Sequence, residues 1–153
     1  MSEQSPTIDF FSLPTLPALQ EQLAPINKFG SLIQVANGYT YLKISEDFLK
    51  PAIFDCIVCV GKHRPEGLDG GVGAHISLIY ETEMPQYFAV MPTVEPIPFA
   101  LSGVYGVSLA GKNYIVLGVE APHLEEWRSH YGLSPKPVYK GFEVRFHITL
   151  GCF

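Results

Sequence analysis

Apolar and polar positions alternate most clearly between residues 31 and 44. Ser31-Leu-Ile-Gln-Val35 and Tyr39-Thr-Tyr-Leu-Lys-Ile44 read as strands, and Asn37-Gly38 between them tolerates positive φ, which predicts a tight hairpin. Ser45, followed by Glu46, Asp47, Phe48 and Leu49, predicts a short capped helical turn ending before Pro51. The apolar run Ile53-Phe-Asp-Cys-Ile-Val-Cys-Val60 reads as a strand, and the glycine-rich residues 61–73 as a loop. Ala74-His-Ile-Ser-Leu-Ile-Tyr80 is a further strand, and residues 83–98 leave room for a turn of helix at 86–91. Strands are predicted at 99–109 and 114–119, joined by Ala110-Gly-Lys-Asn113. Leu124, Trp127 and Tyr131 recur at helical spacing ahead of Gly132, which predicts the best helix of the chain at 122–131. The last strand is predicted over 141–150. Residues 1–28 carry Pro6, Pro14, Pro17 and Pro25 around a helix candidate at 16–23. They read as an irregular leader ahead of a single domain at 29–153.

At 153 residues the chain fits one domain that buries roughly two-thirds of the surface its unfolded form exposes. With 47% hydrophobic and 16% charged residues it is expected to be a compact globule. The net charge of -5, with Lys and Arg scattered singly, argues against a stripe for long nucleic acid. Any polynucleotide partner is expected to be short. No apolar run is long enough to span a bilayer, and the first six residues lack the basic start and apolar centre of a signal peptide, so a cytoplasmic monomer is the expectation. Cys56 and Cys59 lie three apart in a presumed strand and would face opposite ways, so they and Cys152 are expected to be buried structural thiols. No metal and no cofactor is expected.

One short element recurs. His75-Ile76-Ser77-Leu78 returns 72 residues later as His147-Ile148-Thr149-Leu150, each time within a strand. An accidental match of this kind has odds on the order of one in a thousand. On a strand alternate side chains share a face, so each His lies beside its own hydroxyl while Ile76, Leu78, Ile148 and Leu150 face the core. Two such strands together would flank a small anion with two imidazoles and hold its oxygens with two hydroxyls. That arrangement suits displacement at phosphorus: a neutral His takes the nucleophile's proton and a protonated one supplies the leaving oxygen. A pKa near 6.5 lets both forms coexist. A lone buried His beside a Ser is more often structural; the pairing reverses that balance. Which His is base and which is acid stays open.

Other residues carry weaker signals. Arg145 shares a face with His147 by alternation and is a candidate phosphate binder, although Glu143 on the same face offers an ordinary ion pair. Lys62, His63 and Arg64 in the glycine-rich loop either close over a substrate or form a solvated surface, the blander reading being preferred. His123 and His130 look like surface residues. Tyr39 and Tyr41 share a hairpin face with Lys43 and either stack a base or simply pack.

The repeated motif and the order of elements around it resemble the 2H phosphoesterase superfamily over about residues 53–153. The resemblance rests on the two His-x-Ser/Thr strands, strands like 99–107 and 114–119, and the amphipathic helix before the second motif. It implies an α+β, bilobal fold with antiparallel sheets around a central cleft and helices outside. It implies His75 and His147 as the catalytic pair with Ser77 and Thr149 as phosphate-holding companions. The activity implied is metal-independent hydrolysis of a 2′,3′-cyclic, 2′-5′ or cyclic-oligonucleotide phosphodiester in a small nucleotide or short oligonucleotide, as in RNA processing or cyclic nucleotide turnover. A cyclising transfer and a catalytically silent nucleotide-binding or sensor module are the alternatives. Relatives continue for several elements beyond the second motif, and the hairpin at 31–44 is expected to supply those strands in permuted order.

Overall fold

The computed structural model describes residues 10–14, 16–57, 72–93, 95–109, 111–139 and 141–152. Two antiparallel four-stranded sheets dominate it. The first runs β1 (Phe10–Leu13), β6 (Ala100–Leu109), β7 (Lys112–Glu120), β10 (His147–Cys152) in spatial order. The second runs β4 (His75–Ile79), β3 (Thr40–Lys43), β2 (Phe29–Gln34), β5 (Ile97–Pro98). A small third sheet pairs β8 (Val138–Tyr139) with β9 (Phe142–Glu143). The helices are α1 (Pro17–Leu23), α2 (Pro51–Asp55) and α3 (Pro122–His130). Both motif strands, β4 and β10, end the hydrogen-bonded order of their sheets, and they lie beside each other.

The alternation in the two motifs is realised as the pattern demands. Ile76, Leu78, Ile148 and Leu150 are fully buried, whereas His75, Ser77, His147 and Thr149 are half-buried on the opposite face. One core takes Leu19 and Leu23 from α1, Ile53 from α2, Leu124 from α3 and the inward side chains of both large sheets. A smaller cluster, Val107, Val116 and Val144 with Phe10, Tyr105, Tyr114 and Tyr139 against it, lies apart from that core. No helix among the described residues is long and apolar enough to cross a membrane.

The hairpin forms as its turn residues predict: Gly38 has φ 99°, and the Asn37 side chain accepts a hydrogen bond from the Tyr39 amide. Ser45 caps a short 3-10 turn, Glu46–Leu49, by accepting from the Asp47 amide. α3 ends before Gly132, which adopts φ 77°.

Five expectations are corrected. Residues 51–55 are helical, not part of a strand: Pro51 stands at the start of α2 and the Cys56 amide bonds back to Ile53 and Phe54. A short apolar run reads equally as a buried strand or a buried helical turn, and Pro51 with its φ already helical decides it. Cys56 caps this helix and so does not stand on a strand that would turn it away from Cys59. Cys56 and Cys152 are half-buried, while Cys59 and residues 58–71, with Lys62, His63 and Arg64, lie outside the described residues. Second, the segment read as an irregular leader contains the edge strand β1, paired with β6 through Phe10↔Val107 and Leu13↔Val104, as well as the helix at 17–23. Third, the helical turn falls at Glu81–Glu83 rather than 86–91. Fourth, the final strand is broken: residues 144–146 leave the ladder as the chain changes partner from β8 to β7. The hairpin, moreover, pairs β3 with β4, so it extends the sheet of His75 and not that of His147.

Candidate active site

Because β4 and β10 meet, the two polar motif faces line one cavity of about 390 Å³. His75, Ser77, His147 and Thr149 are all in its wall. The register explains the positions. His75 lies opposite Lys43 and Ser77 opposite Tyr41 on β3, while His147 lies opposite Gly118 and Thr149 opposite Val116 on β7.

Both imidazoles are held in the same way. Nδ1 of His75 donates to the Gly73 carbonyl at 2.7 Å, and Nδ1 of His147 donates to the Arg145 carbonyl at 2.7 Å. A carbonyl oxygen can only accept, so each Nδ1 carries a proton and each Nε2 is the nitrogen left to exchange one. Edge contacts brace the rings: His75 against Tyr41 at 5.8 Å and His147 against Phe10 at 6.1 Å between centroids. Burial pushes the His147 pKa below its ordinary value, opposed by the Arg145 carbonyl and reinforced by repulsion from His75. The neutral ring is therefore the resting form of His147 at neutral pH.

Ser77 shares a 2.6 Å hydrogen bond with the Tyr39 hydroxyl. Burial raises the pKa of Tyr39 and of Tyr80, whose phenol also neighbours Ser77, so both stay protonated. Phe10, Tyr39, Tyr80, Tyr114 and Tyr139 supply most of the remaining wall together with valines. The rings form a ladder, Tyr41 to Tyr39 at 5.4 Å, Tyr39 to Tyr80 at 6.1 Å and Tyr80 to Tyr139 at 4.8 Å. Tyr39 and Tyr41 do pack, and Tyr39 reaches the cavity as well.

Arg145 is outside β10, and its guanidinium stands over Phe10 at 4.9 Å and Tyr105 at 5.3 Å rather than in the cavity wall. The alternation that placed it beside His147 presumed an unbroken strand. His123 donates from Nε2 to the Pro98 carbonyl, and His130 is exposed; neither reaches the cavity. Among the described residues no three His, Cys, Asp or Glu side chains gather where they could hold a metal ion.

Sequence reasoning missed Phe10, Tyr80, Tyr114 and Tyr139 as wall residues. Alternation carried a signal for one of them, since Tyr114 shares its face with Val116; Phe10 reaches the wall only through its pairing opposite Val107. It also missed Arg128, fully buried on α3, which donates to both Glu83 carboxylate oxygens, at 2.6 and 3.0 Å. Leu124 and Arg128, four apart, form the buried face of that helix.

No curated protein and no solved structure matches the chain. Residues 58–153 match a protein family described as 2H-SAK, the Swiss Army Knife 2H phosphoesterase domain. That match spans more than half of the chain and contains both motif strands of the cavity. The protein is a member of the 2H phosphoesterase family.

Proposed function

We propose that the protein is a metal-independent phosphodiesterase acting on a small nucleotide or short oligonucleotide, with a 2′,3′-cyclic, 2′-5′ or cyclic-oligonucleotide linkage, in the cleft between two lobes. The observation that supports this reading best is the matched pair of imidazoles, each fixed through Nδ1 so that Nε2 is its working atom, in one cavity. His147, resting neutral, takes the proton of an attacking water. Water oxygen bonds to phosphorus, the bond to the leaving oxygen breaks, and protonated His75 donates to that oxygen. Ser77 and Thr149 donate to the non-bridging oxygens, where charge grows in the transition state. Aromatic walls suit the base or sugar of a nucleotide. Arg145, engaged by two ring faces, acts on the approach of the anion rather than on the bound phosphate. The protein works as a cytoplasmic monomer.

The test is turnover by the purified protein, in EDTA, of 2′,3′-cyclic nucleotides, 2′-5′ and 3′-5′ oligonucleotides and cyclic di- and trinucleotides. Activity that survives the chelator names the linkage. A panel left intact by the protein would reject the proposal.

A further inference from the structure

Tyr39 belongs to the hairpin, ahead of residues 58–153 that carry the family match, yet its hydroxyl touches a motif residue of the cavity. The contact is a defined one. Its ring is fixed between Tyr41 and Tyr80, at 5.4 and 6.1 Å, and its backbone is pinned by the Asn37 side chain, so the hydroxyl direction is set. Only 2.6 Å separates it from the Ser77 oxygen.

Two hydroxyls at that distance share a single proton between their oxygens, and its owner decides what Ser77 can do. A phenol is the stronger acid and hence the better donor. If Tyr39 donates, and Tyr80, the second phenol beside Ser77, does not take the serine's proton, that proton is free for an anion. In the opposite polarity Ser77 has none to give an anion.

We infer that Tyr39 is a positioning residue for the phosphate site: its hydroxyl donates to Ser77 and thereby aims the serine proton into the cavity between the two histidines. The inference rests on the phosphate-binding reading of that cavity. When an anion accepts from Ser77, the chain Tyr39 O–H to Ser77 O–H to phosphate oxygen polarises along its length, and each bond strengthens the other. Tyr39 acts through Ser77 without touching the substrate. The hairpin, an element outside the family match, thus completes a site whose principal residues lie within it.

The experiment is a double-mutant cycle on Tyr39→Phe and Ser77→Ala, read by NMR titration with inorganic phosphate and by kcat/KM on any diester the protein turns over. Tyr39→Phe keeps the ring stack and removes only the hydroxyl. Loss of one hydrogen bond's orientation corresponds to about threefold to tenfold weaker phosphate binding. In the Ser77→Ala background the same change is expected to do nothing further, because its only route is gone. Unchanged phosphate affinity in Tyr39→Phe, or an equal loss in both backgrounds, overturns the inference. Should that variant fail to fold, 3-fluorotyrosine at position 39, a stronger donor of nearly the same size, decides instead: tighter phosphate supports the relay and unchanged affinity removes it. Phosphate binding that follows the cycle while no diester is cleaved leaves the relay standing and rejects the phosphodiesterase reading. Cleavage with no coupling does the reverse.

Discussion

A histidine pair becomes an acid and a base only when each ring is held in one tautomer, and here two backbone carbonyls, both two residues upstream, do the holding. On the proposed mechanism, removing either ring takes away one of two proton transfers. His75→Ala and His147→Ala are each expected to lower kcat/KM by about a hundredfold or more, measured on the linkage the panel identifies. Retention of most activity in either variant would exclude that ring from the chemistry. His147 adds a pH signature. Its folded pKa lies below the ordinary 6.5, so as pH falls the unfolded chain takes up a proton first. The contribution of the neutral ring to stability is complete above about pH 6.5 and is lost as pH falls from there through the folded pKa. The melting temperature of wild type should therefore fall further between pH 7.5 and 5.5 than that of His147→Gln. Parallel curves would contradict the depressed value. The motif residues were readable because alternation on a strand is a local rule. The tautomer was not, since it depends on how the backbone bends at Gly73 and Arg145.

At the scale of elements, local signals succeeded and partner-dependent ones failed. Asn37-Gly38 gave the hairpin and the Leu124, Trp127, Tyr131 spacing gave α3, because turn preference and helical period act within a few residues. Phe10–Leu13 has four residues and no alternation, so only the presence of β6 makes it a strand. The dependence shows at Gly106, where a Cβ would run into the Phe11 ring. A glycine there makes room for the exposed Phe11 ring to lie across β6, and any side chain would have to push that ring aside. Gly106→Val is expected to cost about 1–3 kcal/mol and to prise β1 from the sheet. Hydrogen exchange should then rise at the β1 amides, and phosphate binding should weaken as Phe10 leaves the edge of His147. Protected β1 amides in the variant would show that the edge strand tolerates the added bulk.

The largest arrangement that no local pattern reveals joins parts of the whole molecule through Arg128 and Glu83, 45 residues apart. All five guanidinium hydrogens have acceptors: the two Glu83 oxygens and the carbonyls of Leu78, Ser134 and Lys136. Glu83 in turn accepts from the amides of Tyr80, at 2.8 Å, and Val138, at 2.9 Å. One buried pair thus ties α3, the end of β4 and the start of β8 together, and through Tyr80 and Tyr139 it sets one wall of the cavity. A buried pair of this sort contributes little net stability, but severing it strands a charge. Arg128→Met leaves the Glu83 carboxylate unpaired in the interior and is expected to cost about 3–5 kcal/mol, seen as a lower midpoint in urea. Adding Glu83→Gln removes the stranded charge while keeping an oxygen for one of the two amides, so the double variant should recover part of the loss. If the double variant is as unstable as the sum of its parts, the cost lies in the lost hydrogen bonds to Leu78, Ser134 and Lys136. Recovery would mean that the cost lies in the unpaired carboxylate, whose two amide bonds hold the chain at Tyr80 and next to Tyr139 of the cavity wall.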